Sequence, residues 1–330
     1  MRKTLVCGVG NALIDSEYRV SDNELTKLNL TKGCMELNDE SNHINLSCNL
    51  RDEHGIVRMM PGGSVANSLY TLSQFSIDVS FIGKVSDDDK GKSFIKLLDD
   101  VGMDAHITKS NKGITGECLV LITPDHERTM YTHLGVSSDL SLVDIDEETV
   151  KSSEYLLIEG YLVTSEKTKD VAKLCLDIAS KNNIKKIITL SDPNVVSIFR
   201  DNMMQLLDSK FDIIFCNRQE AANISKTSTI EEAINYLSKY AKEVVVTSGG
   251  DGAYVSFNNQ LVFEKCKKVE PVDLTGAGDM FLAAYLYAKT IKRNISECIK
   301  FANICSGEII QNYGAKFNNL NDYQKLFKLL

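Results

Sequence analysis

Short apolar, β-branched runs alternate with helix-length amphipathic patterns along most of the chain, and that alternation constrains the fold more than any other feature. Leu5–Val9, Val79–Val85, Cys118–Thr123, Tyr155–Glu159, Ile187–Leu190, Ile213–Cys216, Val244–Thr247 and Ala253–Phe257 read as strands. Residues Ser64–Phe75, Lys90–Val101, Thr168–Lys181, Ile230–Tyr240, Ala277–Thr290 and Ile295–Asn312 read as helices. Apolar strands separated by helices predict an α/β fold with a mostly parallel sheet covered on both faces. In such sheets ligands bind beyond the carboxyl ends of the strands.

Two stretches break the alternation. Residues 16–58 are polar, with weak strand character around Cys34–Leu37. Residues 113–135 carry two strand-like runs, Glu117–Thr123 and Arg128–Leu134, around Pro124-Asp125-His126-Glu127, which reads as a hairpin. Both insertions leave the same sheet, and together they predict a small β lid on a single domain spanning residues 1–330.

Composition narrows the function. The formal charge of −8 over 330 residues argues against general nucleic-acid binding, which needs a basic footprint. No apolar run has the length of a membrane span, and MRKTLVCGVG does not read as a signal peptide. The nine cysteines are an odd number, and none stands in a CxxC pair. They read as buried free thiols in a reducing cytoplasm, and a structural zinc site is not expected.

Three segments invite a phosphate-site reading. Gly8-Val9-Gly10-Asn11-Ala12-Leu13 follows the first strand, but Leu13 stands where a dinucleotide fingerprint needs a small residue. Ser86-Asp87-Asp88-Asp89-Lys90-Gly91-Lys92-Ser93 lacks the first glycine of a P-loop, and its aspartates would repel phosphate. Val272-Asp273-Leu274-Thr275-Gly276-Ala277-Gly278-Asp279 stands directly before a helical pattern. There, small residues leave backbone N–H groups bare at the positive end of a helix dipole. A helix start that needs no ligand explains Asp279 but not the glycines around Ala277.

This last segment resembles the DTxGAGD signature of the PfkB (ribokinase-like) family of sugar and nucleoside kinases. The resemblance runs in order through nearly the whole chain: Gly10-Asn11-Ala12-Leu13-Ile14-Asp15, Gly62-Gly63-Ser64-Val65-Ala66-Asn67-Ser68, Phe81-Ile82-Gly83-Lys84-Val85, Asn217-Arg218-Gln219-Glu220 and Thr247-Ser248-Gly249-Gly250-Asp251-Gly252. Within the family, Glu36-Leu37-Asn38-Asp39-Glu40, Arg128-Thr129-Met130 and Leu190-Ser191-Asp192-Pro193 are most similar to bacterial adenosine kinases. One departure is Leu274, where the signature has Thr.

The resemblance implies a ribokinase-like three-layer α/β/α fold with a small β lid, and an ATP- and Mg2+-dependent phosphotransferase with an alcohol acceptor. It implies Asp279 as general base, with Gly276, Ala277 and Gly278 holding the transferring phosphoryl group. Asn11, Asp15, Gly62, Gly63 and Asn67 are implied at the substrate, and Asn217, Thr247, Gly249, Gly252 and Asn303 at ATP. Glu220 is implied at magnesium through water, with Asp192 a weaker candidate. A monovalent cation such as K+ belongs to the same picture, and Leu274 bears on it.

The expected acceptor is a nucleoside, adenosine above others. Its base would lie in a slot supplied by Met35, Leu37, Leu119 and Met130. A sugar kinase acting on fructose, ribose or 2-keto-3-deoxygluconate is the alternative, and a non-catalytic sensor the remote one. The expected partners are small molecules, with no nucleic acid and no membrane. The chain is read as a monomer or a homodimer through the lid.

Overall fold

The computed structural model describes residues 3–33, 35–125, 127–317 and 319–330. In chain order its strands are β1 (Thr4–Val9), β2 (Leu13–Arg19), β3 (Met35–Leu37), β4 (Arg58–Gly62), β5 (Val79–Ser86), β6 (Asp104–Ser110) and β7 (Thr115–Ile122). They continue with β8 (Arg128–Gly135), β9 (Ser153–Glu159), β10 (Lys185–Thr189), β11 (Phe211–Asn217), β12 (Ala241–Thr247), β13 (Ala253–Phe257) and β14 (Gln260–Glu264).

Nine strands form the main sheet, in the order β14-β13-β12-β11-β10-β9-β1-β5-β6. The seven from β12 to β6 run parallel, and β13 and β14 close one edge as antiparallel strands. The order reverses at β1, which lies between β9 and β5.

Strands buried on both faces send alternate side chains into two cores. On β1, Val6 packs with one apolar cluster and Cys7 and Val9 with the other. On β9, Tyr155 and Leu157 join the first cluster, Leu156 and Ile158 the second. Helices Ser64–Gln74, Ala277–Thr290 and Ile295–Ile309 cover the first face. Helices Glu166–Lys181, Arg200–Leu207 and Ile230–Leu237 cover the second. The layers are therefore α/β/α. No described helix is long and apolar enough to cross a membrane.

The two insertions form a separate five-stranded sheet, ordered β3-β8-β7-β2-β4. Antiparallel β7 and β8 pair Cys118 with Thr132 and Val120 with Met130. Cys34 and His126, which the sequence placed at the start of β3 and in the hairpin turn, lie outside the described residues.

The larger departure is the 15-residue helix Glu40–His54, in a stretch whose only readable signal was strand-like. Its buried side consists of His43, Ser47 and Leu50, a stripe at helical spacing but mostly polar, so hydrophobic periodicity could not reveal it. This helix borders the far face of the second sheet, where Tyr18, Val20, Leu25, Leu50, Leu119 and Leu121 pack together.

Period-2 alternation along β7 thus sends Leu119 and Leu121 away from the main domain, and Cys118 and Val120 to the opposite face. Removing the fully buried Leu119 side chain should leave a cavity beneath the helix. Leu119→Ala is expected to destabilise the protein by about 2–5 kcal/mol. In urea the midpoint should fall with the slope unchanged.

Candidate functional site

The carboxyl ends of the parallel strands open into one cavity of about 320 Å³. Its walls bring together residues from distant parts of the chain. Asn11 follows β1, and Glu159 ends β9. Thr189 ends β10, with Ser191 just beyond it. Cys216 and Asn217 end β11, and Thr247 ends β12. Leu13, Asp15, Met35, Cys118, Arg128, Met130, Thr132 and Leu134 reach in from the second sheet. The floor is Leu274 to Asp279.

That floor is the start of helix Ala277–Thr290. Gly276 stands before it in the left-handed region, with φ 74°, and no side chain caps the helix. A Cβ on Gly276 would lie 2.5 Å from the Ala315 methyl carbon, so both conformation and space require glycine. Gly278 differs: a Cβ there would meet nothing within 4 Å. Its bareness leaves open space above the first N–H groups, which is the form of an anion site.

Asp279, in the first turn, is held at both oxygens. The Ser64 hydroxyl donates to Oδ1 at 2.6 Å, and the Asn67 amide donates to Oδ2 at 3.0 Å. Burial pushes its pKa up, and the two hydrogen bonds, Lys316 and Arg128 pull against that rise. Each oxygen keeps a lone pair for an incoming hydroxyl.

Asp15 lines the cavity from β2, and burial raises it to about 6 against the pull of Lys316. Gly62 does not line the cavity; it packs against the Asp15 carboxylate, where a Cβ would stand 2.1 Å from Oδ2. Gly63, at φ 94°, lets its chain pass the Asn11 carbonyl, which a Cβ would approach to 2.3 Å.

Asn11 is buried and engaged internally. Its backbone N–H and side-chain amide donate to Glu159 Oε1 at 2.7 and 2.8 Å, and its Oδ1 accepts from Ser137 at 2.9 Å. Glu159 also accepts from the Val65 N–H at 3.1 Å. Burial raises Glu159 to about 7, with the Asn11 and Val65 hydrogen bonds opposing the rise. Sequence reasoning passed over Glu159. The available signal was a carboxylate closing an otherwise apolar strand.

Asn217 and Glu220 line the cavity as a reciprocal helix cap. The Glu220 N–H donates to Asn217 Oδ1 at 2.8 Å, and the Asn217 N–H and amide donate to Glu220 at 3.0 and 2.6 Å. The carboxylate is buried, and burial lifts it to about 8. The capping and cavity-facing readings therefore coincide on the same residues. Asp192 is a cap alone: it accepts from the Asn194 and Val195 N–H groups at 2.7 and 3.1 Å and does not line the cavity.

Thr247 reaches the cavity, whereas Gly249, Gly252 and Asn303 do not. Gly249 and Gly252 shape the turn between β12 and β13, at φ 53° and 122°. Asn303 donates its amide to the Glu264 carbonyl at 3.0 Å, tying its helix to β14. Of the expected slot residues, Met35 and Met130 line the cavity. Leu37 is instead exposed and Leu119 faces away, and Leu13, Cys118 and Leu134 take their place.

Three further residues complete the site. Arg128 on β8 reaches the floor, pairing with Asp273 at 3.2 Å and donating to the Thr275 hydroxyl. Ser64 holds Asp279. Lys316 is buried behind the site and donates to Asn67 Oδ1 and, at 2.6 Å, to the Pro61 carbonyl.

A bare helix start, a hydrogen-bonded carboxylate above it and a polyol-sized cavity at the strand ends make a site for phosphoryl transfer to a hydroxyl. Residues 35–322 match the model described as pfkB family carbohydrate kinase, and the chain belongs to that family. It is a phosphotransferase with an alcohol group as acceptor. Among relatives, an adenosine kinase of Dictyostelium discoideum is 27% identical over 327 residues, covering 93% of this chain and 94% of that protein. A ribokinase of Haemophilus influenzae is 25% identical over 264 residues, covering 77% and 82%. The crystal structure of adenosine kinase from Sinorhizobium meliloti superposes with a TM-score of 0.92 at 28% identity, covering 98% of this chain and 99% of that one. A probable sugar kinase from Rhizobium etli superposes with a TM-score of 0.91 at 29% identity over the full length of both chains. Membership of this kinase family implies ATP as donor and, with it, a divalent metal.

The site's acids set opposite pH trends for stability and activity. Burial raises Asp15 to about 6, Glu159 to about 7 and Glu220 to about 8, and on β2, outside the cavity, it raises Glu17 to about 7. A carboxyl whose folded pKa lies above its unfolded one stabilises the fold at low pH and loses that contribution as pH rises through the folded value. The unliganded protein should therefore melt at a higher temperature at pH 5.5 than at pH 8. If Asp15 and Asp279 must be ionised to take an acceptor hydroxyl, kcat/KM should fall as pH drops below about 6, the Asp15 value. Paired melting and kinetic series over this range check both signs.

Proposed function

We propose that this kinase transfers the γ-phosphoryl group of ATP to the primary hydroxyl of a ribonucleoside, adenosine above others. The observation that carries the reading is one cavity in which Asp15 sits beside an apolar slot while Asp279 stands over the bare helix start. Asp15 accepts from vicinal hydroxyls. Leu13, Met35, Cys118, Met130 and Leu134 offer a flat base an apolar surface. The similarity to the Dictyostelium and Sinorhizobium adenosine kinases leans the same way.

In this reading the acceptor O–H donates to Asp279 and its oxygen attacks the γ-phosphorus. The bond to the bridging oxygen breaks, ADP departs, and the proton passes to the Asp279 carboxylate. A loose transition state delays proton loss, so position matters more than basicity. The N–H groups from Gly276 to Asp279 receive the charge of the transferring group. Thr247 and the open Gly249 turn flank the donor side, where Asn303 anchors the neighbouring helix.

The carboxylate and amide oxygens of Glu220 and Asn217, both on the cavity wall, are hard donors suited to magnesium through water. Burial keeps Glu220 protonated near neutrality, and a divalent cation would draw that proton off. When bound, the ion supplies charge neutralisation on the donor phosphates. The second sheet, residues 16–58 and 113–135, acts as a lid that excludes water from the transfer.

Coupled ADP-release assays over nucleosides and sugars test the acceptor. Adenosine should give the highest kcat/KM; a far higher value for fructose, ribose or a keto-deoxy sugar acid would replace the nucleoside reading with a sugar one. Asp15→Ala should weaken acceptor binding by roughly 1.5–3 kcal/mol and leave ATP binding nearly unchanged. Asp279→Asn should retain acceptor binding and lose about two to four powers of ten in kcat. Turnover within a few-fold of wild type would remove Asp279 from the base role.

A further inference from the structure

Lys316 is a buried lysine, a residue that folds rarely bury. It sits on the segment that follows helix Ile295–Ile309, and only 3% of it is exposed. Its ammonium donates to the Pro61 carbonyl and to Asn67 Oδ1, and it lies 5.5 Å from the centre of the Tyr70 ring. Asn67 uses the other end of its amide to hold Asp279 Oδ2 at 3.0 Å. A planar amide gripped at its oxygen by a cation cannot flip, so its NH2 is fixed toward Asp279.

The residues around Lys316 lock it in register with the rest of the site. Gly314 donates its N–H to Asp273 at 2.6 Å, and Ala315 packs on Gly276, the residue that opens the helix. Tyr313 accepts from Arg58 of β4 through its carbonyl and from Arg19 of β2 through its hydroxyl. One short segment thus touches the helix start, the second sheet and, through Lys316 and Asn67, the carboxylate that faces the acceptor.

We infer that Lys316 is a positioning residue for phosphoryl transfer: its charged ammonium orients Asn67, which orients Asp279, and it balances the paired negative charge of Asp15 and Asp279. The inference rests on the reading of Asp279 as the base. Lysine is the residue that makes this arrangement titrate. The groups facing it are Asp15 on β2, Asp279 on helix Ala277–Thr290, Arg58 on β4, and Tyr70 on helix Ser64–Gln74. Asp273 and Arg128 stand one contact further away. Burial draws Lys316 down to about 8 against the upward pull of Asp15 and Asp279, and Arg58 lowers it further. Above that value the ammonium loses its proton. Asn67 then loses its anchor, and the two carboxylates lose their counter-charge.

Kinetics of the wild-type chain, Lys316→Gln and Lys316→Arg across pH 6–9.5 decide it, with ATP and acceptor varied and melting curves recorded for each. The wild type should show kcat/KM falling above about pH 8. Lys316→Gln keeps a polar group but no charge. It should lower kcat roughly tenfold to a hundredfold, the scale of lost outer-layer orientation, with KM for ATP changed only a few-fold and the alkaline decline gone. Lys316→Arg should recover most of kcat and also lack the decline, because guanidinium stays charged. A wild-type profile flat to pH 9.5, or a folded Lys316→Gln with wild-type kcat and an unchanged decline, overturns the inference. Asp279→Asn, run alongside, separates the two claims. If it abolishes turnover while Lys316→Gln keeps the wild-type kcat and alkaline decline, the positioning role alone fails. If it leaves turnover intact, the reading of the site beneath it fails.

Discussion

One buried carboxylate ties the site together. Asp273 Oδ1 accepts from the Thr275 N–H and hydroxyl at 2.8 and 2.6 Å and pairs with Arg128, while Oδ2 accepts from the Gly314 N–H. These contacts fix the turn that places Gly276 in the left-handed region, bring residues 313–316 against it, and dock β8 of the second sheet on the floor. Without them the helix start would lose its shape and its neighbours together. A buried ion pair contributes little net stability, but removing one partner is strongly destabilising. Here it sets the geometry of the site.

The main sheet was legible because its strands obey one simple rule. Runs such as Leu5–Val9 and Val79–Val85 are apolar on both faces, and only a doubly covered parallel sheet buries both. Helix Ala277–Thr290 has the bounds read from sequence, since Gly276 marks its start and the apolar periodicity its length. The second sheet was legible only as two interruptions. Helix Glu40–His54 stayed hidden because His43 and Ser47 occupy its buried face, and His43 packs there against Glu117 on β7, whose Oε2 lies 2.7 Å from its Nε2. A partner 74 residues away leaves no periodic trace. The same limit explains the slot: Leu119 and Cys118 are neighbours in sequence, and only strand register says which faces the cavity.

Among the candidate site residues, those in glycine-rich or strand-end motifs were readable, and those acting through a partner were not. Asp279 announces itself by the glycines beside it. Lys316 carries no local pattern, and the carboxylate that closes β9 at Glu159 shows its use only through Asn11. Asn217 and Glu220 show the converse. Their spacing is that of a capping box as well as of a cation site, and the fold uses them as a cap while leaving them on the cavity wall. A spacing argument alone cannot separate two uses that one geometry satisfies.

The charges on the cavity wall impose a final constraint. Asp15, Glu159, Glu220 and Asp279 face the cavity, and Arg128 is the Lys or Arg side chain among its lining residues. Burial favours the neutral form of all four acids, as their raised pKa values register. A polyphosphate brought against these groups would be repelled wherever they are ionised. The walls counter this with dipoles rather than side-chain cations, through the bare N–H groups of the helix start. Those donors lie at one point of the wall, the start of helix Ala277–Thr290. In the proposed reading the rest of the positive charge therefore arrives with the donor, and Glu220, whose protonated form burial favours, responds to it. Acceptor recognition and donor recognition thus draw on opposite electrostatics within one cavity. In the proposed reading, carboxylates at Asp15 and Asp279 take the hydroxyl edge, and backbone donors with an imported cation take the phosphates.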